Sequence, residues 1–552
     1  MKQILLFLLL ICIVSGEYVP GTRGGEWTLE ELLIVRAKVW SLLKEGSAKS
    51  AYEKIKPNDL PIKDLNPDWI NRGLQFFPAK LLRLSFHDCV RYKDGSGGCD
   101  GCLNWKGMQF RFPGSDKMKF KYIYPDIKEG SNNGLEFTVA ILEALYTDKK
   151  FPSRAKGLPE SLKSSGKSRA DLWAYAAKVA IEYSVEVNNY NCENKPSEKD
   201  WNGSYIGGSK DCHRYLDEPG CKLELPREII FESGRIDCVP KGSDEPFKAA
   251  KEEVHPNPEG NGDETIDFFK SEFDFTAKES VAIMGSHTLG KAEIKTSLFK
   301  YGWTSRGGHM FNNAYYRNFV NDHDWFIESE DGDTCQKIGD ADGNLPDTKW
   351  VPTMNGFTKS GGPMHWIKFH FTCPNCNYQM TDNINMAGEF DKCCPGPKGK
   401  MCKPDHADPA RNDFDDIRGC EKYRFAHGLD EMAINAEMGL YLKFDQTNGI
   451  PSNCPGLKDF TMEKWKENTK KFRRAWHHGC GLNMRREPAN SEPVSSYFRV
   501  YAEVQKEWVK DYVPTFEKMV RNGYNDDDLT RAPDSWTNVR CLKQEKFECT
   551  QQ

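Results

Sequence analysis

The chain has 552 residues, with 76 lysines and arginines against 81 acidic side chains and a formal net charge of −5. That balance excludes an overall basic footprint for nucleic acid, and the length allows one large domain with insertions rather than a single small core. Of 19 cysteines, Cys12 falls in an apolar N-terminal run, which leaves an even 18.

The first residues are Met1-Lys2-Gln3, then an apolar run from Ile4 to Val14, then Ser15-Gly16. A short basic start, an apolar stretch and small residues describe a secretory signal peptide over 1–16. A buried N-terminal helix is the alternative. The run is too short for a membrane span, and no other stretch is long and apolar enough to be one. We therefore expect a secreted, extracellular protein, whose cysteines read first as disulfides. Asn202-Gly203-Ser204 is a glycosylation sequon.

Next comes Leu82-Arg83-Leu84-Ser85-Phe86-His87-Asp88-Cys89, behind Pro78. Proline suits a helix start, and Leu81, Leu82 and Leu84 give an apolar face. Arg83 and His87 stand four residues apart and so share a helix face. A permanent cation beside an imidazole that takes and gives a proton can polarise and split a bond. An amphipathic helix with an incidental Arg and His is the bland alternative. Thr276-Ala277-Lys278-Glu279 has the capping-box pattern and predicts a helix carrying His287.

Two motifs together change the odds. Arg83-Leu84-x-Phe86-His87-Asp88-Cys89 resembles the distal haem helix of the plant-type (plant, fungal and bacterial) haem peroxidase superfamily. Val281-Ala282-Ile283-Met284-Gly285-Ser286-His287-Thr288-Leu289-Gly290 resembles its proximal helix. The resemblance implies a mainly α, two-lobed helical core over 17–525, with haem b between the helices of His87 and His287. Disulfide-rich insertions are expected at about 188–225, 321–430 and 445–494, and a C-terminal tail over 526–552. Hydrogen peroxide would be the substrate, with Arg83, His87 and Asn132 as catalytic residues. Phe86, Trp303 and Glu437 would line the haem site, and His287 would be the axial iron ligand.

Some positions depart from the family. Trp303 lies sixteen residues after His287, as in ascorbate and cytochrome c peroxidases, whereas Phe86 is like secreted enzymes. Glu437 stands where the family has Asp. Asp88, Gly98 and Asp100 fall on the positions of a distal calcium site, but Cys102 replaces its Ser, so a disulfide-closed loop without an ion remains open. The resemblance also pairs Cys89 with Cys99. At the proximal cation loop Thr288 and Thr304 match, while Arg306 and Asn312 do not.

Gly234-Arg235-Ile236-Asp237 resembles an architectural turn, and Tyr501-Ala502-Glu503 through Tyr524 the C-terminal helix. Within the long insertion, Trp366-Ile367-Lys368-Phe369-His370-Phe371 alternates like a strand. Cys373-Pro374-Asn375-Cys376, near His365 and His370, suggests disulfides before zinc. The usual anchors for ascorbate are replaced by Gln75 and Thr296, and those for manganese by Phe76 and Lys80. The expected reductant is therefore a small aromatic, phenolic donor. The competing functions are a matrix protein on a weakened peroxidase scaffold and a haem carrier.

Overall fold

In this computed structural model the described residues are 23–44, 77–104, 132, 134–147, 161–194, 221–238, 249, 251–258, 260–292, 301–304, 310–320, 325–331, 361–369, 430–443, 446–447, 450–451, 481–482, 485–486, 492–533, 539–540 and 550–551. The signal-like N-terminus, the sequon, the basic cluster at 470–474 and the Cys373/Cys376 pair lie outside them.

The fold is mainly helical, as expected. The helices are α1 (Leu29–Leu43), α2 (Phe77–Cys89), α3 (Glu136–Thr147), α4 (Arg169–Asn194), α5 (Gly262–Phe273), α6 (Ala277–Met284), α7 (Ala314–Val320), α8 (Asn435–Tyr441), α9 (Val494–Glu503) and α10 (Gln505–Met519). α2 packs on α3 and α4 to form the distal side, with Trp173 and Leu84 fully buried. α6 packs on α5, α9 and α10 to form the proximal side. Thr276 and Glu279 make the predicted capping box at the start of α6.

Three features differ from expectation. α4 continues to Asn194, and Leu223 and Leu225 are buried, so both ends of the supposed 188–225 insertion belong to the core. The supposed tail is docked as far as Ala532: Thr530–Arg531 pairs with strand β1 (Glu232–Ser233), and Asp528 accepts from Arg23 at 2.8 Å. The expected C-terminal helix is two helices with Val504 out of helical geometry between them. The break follows from capping of α9, because Asn313 Nδ2 donates to the carbonyls of Tyr501 (2.8 Å) and Ala502 (2.9 Å).

The long insertion adds a sheet. Strands β2 (Lys291–Ala292), β3 (Tyr301–Gly302), β4 (Trp325–Asp331), β5 (Gly361–Phe369) and β6 (Asp430–Ala433) are arranged β2-β3-β6-β5-β4. Trp366 to Phe369 of the alternating run lie in β5, as predicted, and His370 and Phe371 lie outside the described residues. β3 and β6 pair in parallel at Gly302 and Glu431, although the long insertion separates them in sequence. Trp366 is buried and its indole donates to Asn435 Oδ1 at 2.8 Å, which fastens the sheet to α8.

Disulfides join Cys89 to Cys99, Cys102 to Cys238 and Cys192 to Cys221. Gly98 must be glycine. Its φ is +112°, and a Cβ there would lie 2.4 Å from Asn522 O. Among the described residues no helix is long and apolar enough to cross a membrane.

Candidate active site

α2 places Arg83 and His87 one turn apart, and Arg83 Nε donates to His87 Nε2 at 3.2 Å. Asn132, fully buried just before α3, lies against the other side of the ring. Its Oδ1 is 2.8 Å from His87 Nδ1. An amide oxygen only accepts, so Nδ1 carries the proton and Nε2 keeps its lone pair. Burial first, then the charge of Arg83, holds His87 well below the ordinary imidazole range, against the opposing bond from Asn132. The ring is a neutral base at neutral pH.

Glu253 and His255 complete this network and were missed in the sequence. Glu253 is buried, and its Oε2 accepts from Asn132 Nδ2 at 2.9 Å while Oε1 accepts from the Asn104 N–H at 2.6 Å. His255 Nε2 lies 2.7 Å from Glu253 Oε2, and its ring centroid is 5.2 Å from that of His87. Phe86 is half-buried, with its ring 5.7 Å from that of His87 and 5.8 Å from that of Phe273 on α5.

The other half is built on α6 and the sheet. α6 ends at Met284 and a tighter turn, Gly285–Thr288, carries His287. The predicted helix therefore stops short of its histidine. A Cβ at Gly285 would lie 2.4 Å from the Tyr316 hydroxyl and 2.6 Å from the Trp508 indole nitrogen, so only glycine admits this packing. β3 leads into Trp303 and β6 into Glu437. Glu437 is fully buried and bridges both partners: Oε1 is 2.5 Å from His287 Nδ1, and Oε2 accepts from the Trp303 indole at 2.9 Å. The His287 and Trp303 rings stack at 4.3 Å. The longer Glu side chain thus reaches both groups. Tyr315, also missed, is fully buried 6.1 Å from the His287 ring. Its phenol is pushed well above the ordinary range, by burial and then by the charge of Glu437.

At the first cation position, Asp88 Oδ1 accepts from the N–H groups of Gly101 (2.7 Å) and Cys102 (3.2 Å). Burial, then the like charge of Asp100, raises the Asp88 carboxyl well above its ordinary range. Asp100 Oδ2 accepts from the Tyr92 hydroxyl at 2.8 Å. Asp100, Cys102 and Cys238 cluster closely, but the two sulfurs are bonded to each other and offer no thiolate. At the proximal loop Thr304 donates to the Thr288 carbonyl, and Thr288 to Met310 O, each at 3.3 Å. Arg306, Gln75, Phe76 and Thr296 lie outside the described residues.

Residues 68–331 match the family model described as peroxidase. Over that stretch, just under half of its length, the chain is similar to the peroxidase family. It is 35% identical over 116 residues to the mitochondrial cytochrome c peroxidase of Candida glabrata, covering 21% of this chain and 26% of that protein. Proteins named as heme-binding peroxidases are each 24% identical. The one from Candida albicans aligns over 44% of this chain and 57% of its own length, and the one from Debaryomyces hansenii over 45% and 40%. The chain thus spans less than two thirds of each of these relatives. Glu437 lies beyond the family match, and the sheet brings it back to the matched half.

Proposed function

We propose that the protein is a secreted haem peroxidase that reduces hydrogen peroxide and oxidises a small aromatic, phenolic donor one electron at a time. One observation carries the reading. A neutral imidazole base with an arginine against it belongs to the same helical core as a second imidazole whose Nδ1 is held by a buried carboxylate. That Nδ1 bond leaves His287 Nε2 available as a ligand, and the side chain is 32% exposed. These residues fit haem b, with His287 as the axial group.

Haem supplies the redox-active iron when bound. His87 Nε2 is the base for the peroxide proton and then returns it to the departing oxygen. Arg83 places positive charge where that oxygen gathers negative charge. Asn132, held by Glu253, keeps the His87 tautomer fixed. Glu437 makes His287 a more basic ligand and orients Trp303. Three disulfides among the described residues support an oxidising compartment and hence export. The purified protein should show a Soret band that shifts on adding peroxide, and should then oxidise phenols. A Soret band that peroxide leaves unmoved would favour the scaffold reading, and saturable high-affinity ascorbate oxidation would overturn the phenolic assignment.

Calcium is the cation that suits Asp88 and Asp100, since two buried like charges close together are stabilised by a hard divalent ion. Gly98 is the third position of that reading. Chelation should lower the melting temperature by several degrees, and calcium should restore it where magnesium does not. An unchanged melting temperature would mean a loop closed by its disulfide alone.

A further inference from the structure

His255 is the one polar side chain of the distal network with no role in the reading above. It stands on the segment that joins Lys251 to α5, and this segment is firmly held. Val254 N–H donates to Arg91 O at 2.9 Å, and Pro258 O accepts from Ala436 N–H at 3.1 Å. The ring is fixed from one side only. Its Nε2–H donates to Glu253, whose side chain is 2% exposed, whereas the His255 side chain is 17% exposed.

This bond settles the tautomer. A carboxylate accepts only, so in the neutral ring the proton sits on Nε2 and Nδ1 presents the lone pair. Among the described residues nothing donates to that Nδ1. Glu253 in turn cannot swing away, because the Asn104 N–H and the Asn132 amide both hold it. The outcome is a rigid, partly exposed acceptor beside His87, at the edge of the distal pocket. Apolar ring surface borders the neighbouring His87, whose ring lies 5.2 Å from that of His255 and 5.7 Å from that of Phe86. An acceptor beside aromatic walls suits a flat aromatic molecule with a hydroxyl group.

We propose that His255 Nδ1 accepts a hydrogen bond from the hydroxyl of the phenolic donor and so selects phenols over hydroxyl-free aromatic reductants. The proposal rests on the peroxidase reading and names the residue by which that site recognises its reductant. Glu253 is the positioning residue behind it.

The test uses the haem-loaded protein, guaiacol as the phenol and a tertiary aromatic amine, which carries neither O–H nor N–H, as the comparison donor. In His255→Leu, the ratio of kcat/KM for the phenol to that for the amine should fall about ten-fold, mainly through KM, as expected for one lost hydrogen bond. His255→Gln, which keeps an acceptor, should recover part of the ratio and guards against a misfolded Leu variant. A second readout needs no turnover. Phenol titrated into the resting protein, followed at the Soret band, should bind about ten-fold more weakly to His255→Leu. Equal weakening for both donors would show a packing role, and an unchanged ratio with unchanged phenol binding would remove His255 from the donor site. Should the wild type fail to react with peroxide, the peroxidase reading fails, while the binding titration still decides this inference.

Discussion

Replacing His87 with Leu should slow the reaction with hydrogen peroxide by about 10²- to 10⁴-fold, while haem stays bound. The magnitude follows from what is removed. His87 is the base whose Nε2 faces Arg83, and its tautomer is fixed by Asn132 at 2.8 Å. Leucine fills similar space but moves no proton. On the proposed reading haem attachment rests on His287 and Glu437, on the other half of the site, which this change leaves alone. Stopped-flow measurement of the Soret shift against peroxide concentration reads the rate constant directly. A variant that reacts like the wild type would show that Arg83 and His87 do not form the peroxide site.

The largest structural effect is expected at the core. Arg235→Met should lower the unfolding free energy by about 3–5 kcal/mol. Arg235 and Asp171 both have fully buried side chains, with Nη1 2.9 Å from Asp171 Oδ1. Arg235 also donates to the carbonyls of Val520 and Glu232. Methionine preserves much of the volume but strands a buried carboxylate and takes donors from the Val520 carbonyl. Breaking one partner of a buried pair costs more than the pair contributes, because the remaining charge is left uncompensated. Urea unfolding gives the midpoint and slope. A loss below about 1 kcal/mol, as for an exposed pair, would show that water reaches this site.

The local signals were legible in the sequence. The Arg83/His87 spacing, the capping box at Thr276 and Glu279 and the strand at Trp366 each depend on residues a few positions apart. The position of Glu437 came from resemblance, and the structure adds that it binds both His287 and Trp303. What was hidden depends on distant chain. Gly285, where α6 stops before His287, is crowded by Tyr316 and Trp508 from far along the chain. The interruption at Val504 is set by Asn313, far away in sequence. Glu253 and His255 look like ordinary polar loop residues until Asn132 and Asn104 are placed against them. Tyr315 reads as core packing until Glu437 lies near it.

The pairing of β3 with β6 has a bearing on how this chain could change over time. Trp303 directly follows β3 and Glu437 sits in the first turn of α8, the helix after β6, so their separation is set by the Gly302–Glu431 register and not by the length of chain between them. Closing a longer connection between fixed ends is cheap, about 0.6 kcal/mol for each doubling of length. Segments between β4 and β5, and between β5 and β6, can therefore be gained, lost or replaced while the spacing of the proximal pair is conserved. The sheet isolates the invariant chemistry from a stretch of sequence left open to variation.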